Sequence, residues 1–352
     1  MNIAKHPAKV SKLYIIKLSL PIFFSNLAIP LVGIVDTGLM GHLSDQKFLA
    51  AVSISTAVIT MIYWSFGFLR MGTVGLVSQA FGNKNYNDIV LIVSRYLIIA
   101  LSAALFIILL KEPILYIINK SFQTSNETKE LIGEYISTRI YSAPAELIIY
   151  VLVGLYLGMQ KTTISSFLIT FFCFGNIIFS SIFVLYLDLG VFGVALGTLA
   201  SAYIVAIIFL IQTFFYFYKN FDVQVTYKKV MQKKKFLTLS GINFDIFIRT
   251  ILLTFSFLWF NYLSSKLGED FIAINAILLQ FIIFASFILD AYAFSTEAVV
   301  GYAIGRKEKR IFLKTVSNSV QLSLVTGLVI SVIYIIFSKS MINVLTSLEF
   351  LK

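Results

Sequence analysis

One cysteine, two histidines and five prolines are spread over 352 residues, and only 13% of the residues are charged. The lone Cys173 lies inside an apolar run, so no disulfide framework can form within one chain. His6 and His42 have no metal-ligand spacing. No phosphate-cradling loop, zinc motif or nucleophile elbow occurs. Acids are scarce: 17 Asp and Glu stand against 28 Lys and Arg, a net charge of +11. A basic surplus can mark a nucleic-acid partner. Here the basic residues fall in short gaps between apolar runs, which is the pattern of cytoplasmic loops, so nucleic acid is not the expected partner.

Apolar residues make up 59% of the chain and aromatics 15%, and the mean hydropathy is +0.90. No soluble globular domain is that apolar, and the composition predicts a polytopic, all-α membrane protein. Nine runs are long enough to span a bilayer, near 13–41, 48–80, 90–118, 131–158, 163–187, 191–218, 240–265, 271–303 and 315–345. The first is too long for a signal peptide and reads as an uncleaved span. A cytoplasmic N-terminus puts eighteen Lys and Arg on the cytoplasmic side and seven on the other, which sets the orientation.

The stretch Leu13–Met40 departs from a plain anchor. Pro21 and Pro30 each remove a backbone donor and favour a kink, Asn26 sits between them, and Asp36 follows with no Lys or Arg within a turn and a half. A lone acid in such a helix suggests an ion or proton site; the plainer alternative is a wet carboxylate near the outer surface. The longest polar break, residues 219–235, contains VTYKKVMQKKK and reads as a basic cytoplasmic linker. It separates a six-helix N-terminal lobe, 1–218, from a C-terminal part, 236–352, with three helices. An internal repeat at an offset of about 223 residues relates the two. LSDQKFLA falls on LGEDFIA, VSQAFGNKN on VGYAIGRKE with Gly82 over Gly305, and LSLP near LSGI. Six intervening spans give both copies the same direction, so the repeat axis lies along the membrane normal and substrate is expected between the lobes.

The segments LSLPIFFSNLAIPLVGIVDTGLMGHL, FLRMGTVGLVSQAFGNKN, INFDIFIRTILL and FILDAYAFSTEAVVGYAIG, in this order, resemble the multidrug and toxic compound extrusion (MATE) family, closest to its bacterial damage-inducible F-like branch. The resemblance implies a two-lobe helical bundle that exports lipophilic, often cationic compounds by proton or sodium antiport. It also implies a bacterial inner-membrane location, a monomer, membrane lipids as surroundings, no enzymatic chemistry and no cofactor beyond the coupling ion. Asp36 matches the family's acidic position on the first helix. Asn176 matches a polar position on helix 5, but Ser180 stands where the family often has Asp. Thr198 matches a polar position on helix 6. With one carboxylate fewer, a proton is favoured over sodium. The bland alternative for Asn176, Ser180 and Thr198 is ordinary interhelical hydrogen bonding.

In the second lobe Asp245 and Arg249 are four apart and form a plausible ion pair. Asp290 and Glu297 are seven apart and share a helical face, and with Tyr292 and Phe294 nearby that face would suit a lipophilic cation. The alternative is a salt-bridge network of Arg249 with Asp245 or Asp290. Arg139 and Glu146 read as a structural pair, and Arg70 as a residue that snorkels. Two other functions stand beside export: a flippase for lipid-linked sugars, which calls for a more basic cavity, and an intramembrane enzyme, which calls for clustered His or Ser/Lys. The resemblance implies twelve helices, while the second lobe offers three and TSLEFLK resembles the segment leading into helix 10. A truncated exporter is therefore expected, weak or inactive alone and restored by about three appended helices.

Overall fold

Helix starts follow the capping residues. Asp45 accepts from Lys47 N–H, Asn85 from Asp88 N–H and Ser125 from Thr128 N–H, each satisfying a donor that a helix leaves open at its first turn. The computed structural model describes residues 10–41, 45–121, 124–221, 225–267 and 269–345. In chain order the helices are α1 (Lys12–Gly41), α2 (Gln46–Ser65), α3 (Phe68–Gly82), α4 (Tyr86–Leu109), α5 (Lys111–Ser121), α6 (Asn126–Arg139), α7 (Ala143–Gly158), α8 (Thr162–Leu185), α9 (Gly190–Asn220), α10 (Tyr227–Val230), α11 (Lys233–Leu267), α12 (Glu269–Gly305) and α13 (Lys309–Leu345). Among the described residues there is no strand, and nine helical stretches are long and apolar enough to cross a membrane. The second of these joins α2 to α3 and the fourth joins α6 to α7.

Three local features depart from plain spans. Helix α1 runs unbroken through Pro21 and Pro30. The third span stops at Leu109, and α5 follows as a separate helix. Between α6 and α7 the chain tightens into a 3₁₀ turn, Ile140–Ser142. Pro144 lacks the N–H that would serve the Ile140 carbonyl one turn back, and Ala143 N–H takes that carbonyl instead.

The repeat is visible in the backbone. At the end of α3, Asn83 N–H donates to Gln79 O (3.0 Å) and Asn85 N–H to Ala80 O (2.9 Å), with Lys84 at φ 57°. At the end of α12, Arg306 N–H donates to Tyr302 O (3.0 Å) and Glu308 N–H to Ala303 O (2.9 Å), with Lys307 at φ 57°. Every residue of one turn maps onto the other at the 223-residue offset. The left-handed conformation is unusual for lysine, so its recurrence at matched positions is a specific mark of common geometry.

The two copies also touch each other through these helix ends. A Cβ at Gly82 would collide with Tyr302 O, and one at Gly305 with Gln79 O, the repeat-related pair of contacts. Gly301 and Ser78, mates under the same offset, meet face to face, and a Cβ at Gly301 would overlap Ser78 Oγ. A two-fold pseudo-axis therefore passes between Ser78 and Gly301. Around it α3 packs on α7 and α12, while α1 bridges α8, α12 and α13.

The basic linker lies at this same end. Arg95, buried near the start of α4, donates from Nε to Val230 O (3.0 Å) and from Nη2 to Lys229 O (2.6 Å), pinning α10 to the bundle. Lys228, Lys229 and Lys233–Lys235 project outward.

Candidate functional site

Asp36 reaches the interior because α1 packs along α8. It is 7% exposed, its Oδ1 is buried without a hydrogen-bond partner, and its charged and hydrogen-bonding neighbours are Ser180 and Arg139. The carboxyl is thus enclosed by the bundle. Asn176 and Ser180 sit one turn apart on α8, and Thr198 faces them from α9. Asn176 Nδ2 donates to Thr198 Oγ1 at 2.6 Å, and Ser180 Oγ lies 3.4 Å from Asn176 Oδ1 and 3.5 Å from Val194 O. A Cβ at Gly197 would press on the Ser180 backbone, so glycine there lets α9 approach closely enough to make the Asn176–Thr198 bond. The structure thus brings Asp36, Asn176, Ser180 and Thr198 into one buried polar cluster.

Arg139 closes this cluster from the α6–α7 turn. Its guanidinium hydrogen-bonds Glu146 and Ser142, and Ser142 Oγ also donates to Glu146 Oε1 (2.8 Å). The expected Arg139–Glu146 pair is present. Its proximity to Asp36 was not expected, since it depends on tertiary packing and not on any local spacing.

The second group of residues is arranged differently from expectation. Arg249 forms an ion pair with neither Asp245 nor Asp290; its Nη2 donates to Met71 Sδ at 3.3 Å, and both Asp245 and Arg249 are exposed. The Tyr292 hydroxyl accepts from Thr326 Oγ1 (3.2 Å) between α12 and α13. Arg70 does not snorkel. Its Nη1 lies 4.0 Å from Glu297 Oε2, and its Cζ 3.9 Å from the Phe294 ring centroid. Asp290 shares the electrostatic surroundings of Arg70 with Glu297, Tyr150 and Arg249. The repeat register held the missing signal: at 223 residues Arg70 falls on Ala293, one turn from Glu297 and next to Phe294.

Comparison with known proteins decides the family. A model of the MatE family matches residues 21–183 and 246–350. The chain belongs to the MatE family. DNA damage-inducible protein F of Escherichia coli (strain K12) is 32% identical to this MatE chain over 331 residues, covering 94% of the chain and 72% of that protein. Multidrug export protein MepA of Staphylococcus aureus (strain MRSA252) is 26% identical over 330 residues, covering 93% of the chain and 70% of the protein. Among solved structures, a multidrug-resistance MATE transporter of the MOP superfamily in an outward-facing conformation superposes with a TM-score of 0.85 at 18% identity, covering 94% of this chain and 73% of that one. A MOP-superfamily transporter from Pyrococcus furiosus, described as having a binding pocket of reverse polarity, gives a TM-score of 0.87 at 18% identity, covering 96% and 75%. This MatE chain therefore has the MATE fold, and it is a multi-pass membrane protein.

Proposed function

We propose that the protein is a proton-coupled exporter of lipophilic, often cationic small molecules in the bacterial cytoplasmic membrane, with its N-terminus inside. The observation that carries this reading is the Asp36 carboxyl. It is buried, leaves one oxygen unpartnered, and lies among Asn176, Ser180 and Thr198. An intramembrane acid beside neutral hydrogen-bonding groups, with the Glu146-paired Arg139 nearby, can take up a proton from one side and release it to the other when the lobes exchange access. Ser180 supplies a neutral hydroxyl where sodium would be better served by a second charged oxygen, which supports a proton as the coupling ion. The names of the relatives, a multidrug export protein among them, support export as the direction. Cation efflux from cells lacking their own exporters tests the reading. Wild-type accumulation should fall when the chain is expressed, and Asp36→Asn should restore it. Equal efflux by the two would rule out Asp36 as the coupling group.

A further inference from the structure

Arg70 occupies a place built to recognise a cation. Its guanidinium stacks on Phe294 at 3.9 Å with the Glu297 carboxylate alongside at 4.0 Å. A delocalised cation on an aromatic face beside a carboxylate is the contact set that a lipophilic cation would use.

The occupant is held loosely. At 4.0 Å the ion pair contains no hydrogen bond, and Arg70 Nη1 is buried with no partner. Arg139, by contrast, hydrogen-bonds both Glu146 and Ser142. The Glu297 side chain keeps 31% exposure against 14% for Arg70, so the carboxylate is the more open end of the pair. The contact also crosses the repeat, since Arg70 is on α3 and Glu297 on α12.

We propose that Arg70 is a built-in stand-in for the cationic substrate: an incoming lipophilic cation displaces the guanidinium from Phe294 and Glu297, and so removes a charge bridge between the two repeats. The proposal rests on the export reading above and adds a way for substrate to loosen the lobes. While Arg70 fills the site, the apparent affinity for a cation is lowered by the fraction of molecules in which the site is free. A neutral ligand of similar shape gains nothing from Glu297.

The test is equilibrium binding of tetraphenylphosphonium, and of neutral triphenylphosphine oxide, to the purified 352-residue chain in lipid nanodiscs. Arg70→Gln should bind the phosphonium about tenfold tighter than wild type, the size expected from removing one desolvated cation–π competitor. Its affinity for the oxide should change less than twofold. Adding Glu297→Gln should abolish the gain. The phosphonium should also raise the melting temperature of Arg70→Gln more than that of wild type, because it returns the missing charge. That readout decides the matter even if Arg70→Gln is unstable without ligand. Wild-type phosphonium binding with no tightening and no extra thermal shift in Arg70→Gln would overturn the stand-in role alone. No phosphonium binding by any form would defeat the cation-export reading and the inference with it.

Discussion

Asp36 and Lys161 illustrate two ways in which a charged side chain is tolerated inside this bundle. Asp36 lies by the neutral groups of Asn176, Ser180 and Thr198, with Arg139 near but paired to Glu146, so substitution by Asn keeps shape and polarity while removing the titrating proton. Asp36→Asn should therefore fold and melt within about 1 kcal/mol of wild type yet lose uphill transport; a shared loss of folding and transport would point to a structural role. Lys161 lies between α7 and α8 with its Nζ buried, unpartnered and 3.6 Å from the Tyr216 ring centroid. Burial lowers its ammonium from 10.5 to about 8. Between those values the unfolded chain still holds the proton that the folded one has released, so stability rises with pH across that window and is lowest below it. Lys161→Met should stabilise the protein by about 1 kcal/mol at pH 7, an advantage that shrinks as pH climbs from 8 toward 10.5. Thermal melts at pH 7, 9 and 10.5 check this, and a pH-independent gain would assign the effect to packing. Residue type alone revealed Asp36, because an intramembrane acid is rare. It did not reveal Lys161, which reads from sequence as an ordinary loop lysine.

At the scale of elements, the α6–α7 turn holds a largely buried ion pair. Pro144 forces the 3₁₀ step that sets Arg139, Ser142 and Glu146 on one another. Removing one member leaves the other buried without a partner, so Arg139→Met should cost about 3–5 kcal/mol, and adding Glu146→Gln should recover most of it. A double-mutant cycle by thermal unfolding measures the coupling; additive losses would contradict the pairing. The seven-residue spacing made this pair legible, since both residues lie within one span. The nine spans were legible for the same local reason, namely that hydropathy records each helix's own environment. The Arg70–Glu297 contact joins helices more than two hundred residues apart; neither helix's own periodicity shows it, and only the repeat register, which lays Arg70 over Ala293, points to it. The Tyr292–Thr326 bond was not legible, because a helical wheel gives a face but not the helix that covers it. The TSLEFLK segment lies outside the described residues.

For the whole molecule, export as proposed above would make transport depend on movement between the part that carries Asp36 and the part that carries Glu297. Any transport-competent form should move substrate in response to an imposed pH gradient in sodium-free buffer, with flux falling to background when the gradient is collapsed. Dependence on a sodium gradient instead would reverse the choice of ion. The lobes meet at Ser78 and Gly301, positions that face their own repeat mate. Two identical chains related by a true two-fold axis would be obliged to place the same residue on both sides there. Serine on both sides would collide, since even a methyl at Gly301 overlaps Ser78 Oγ, and glycine on both would leave a gap. Joining the halves into one polypeptide lifts that obligation and lets a large and a small residue be matched across the axis. The matching has no preferred direction, because Ser78 Oγ donates to Gly75 O at 3.0 Å and the repeat offers Ala298 O to a serine at 301. Gly301→Ser alone should lower stability by about 1–3 kcal/mol through overpacking, whereas Ser78→Gly with Gly301→Ser should return to near wild type. A double variant no better than the single one would show that the two halves are no longer interchangeable at their meeting point.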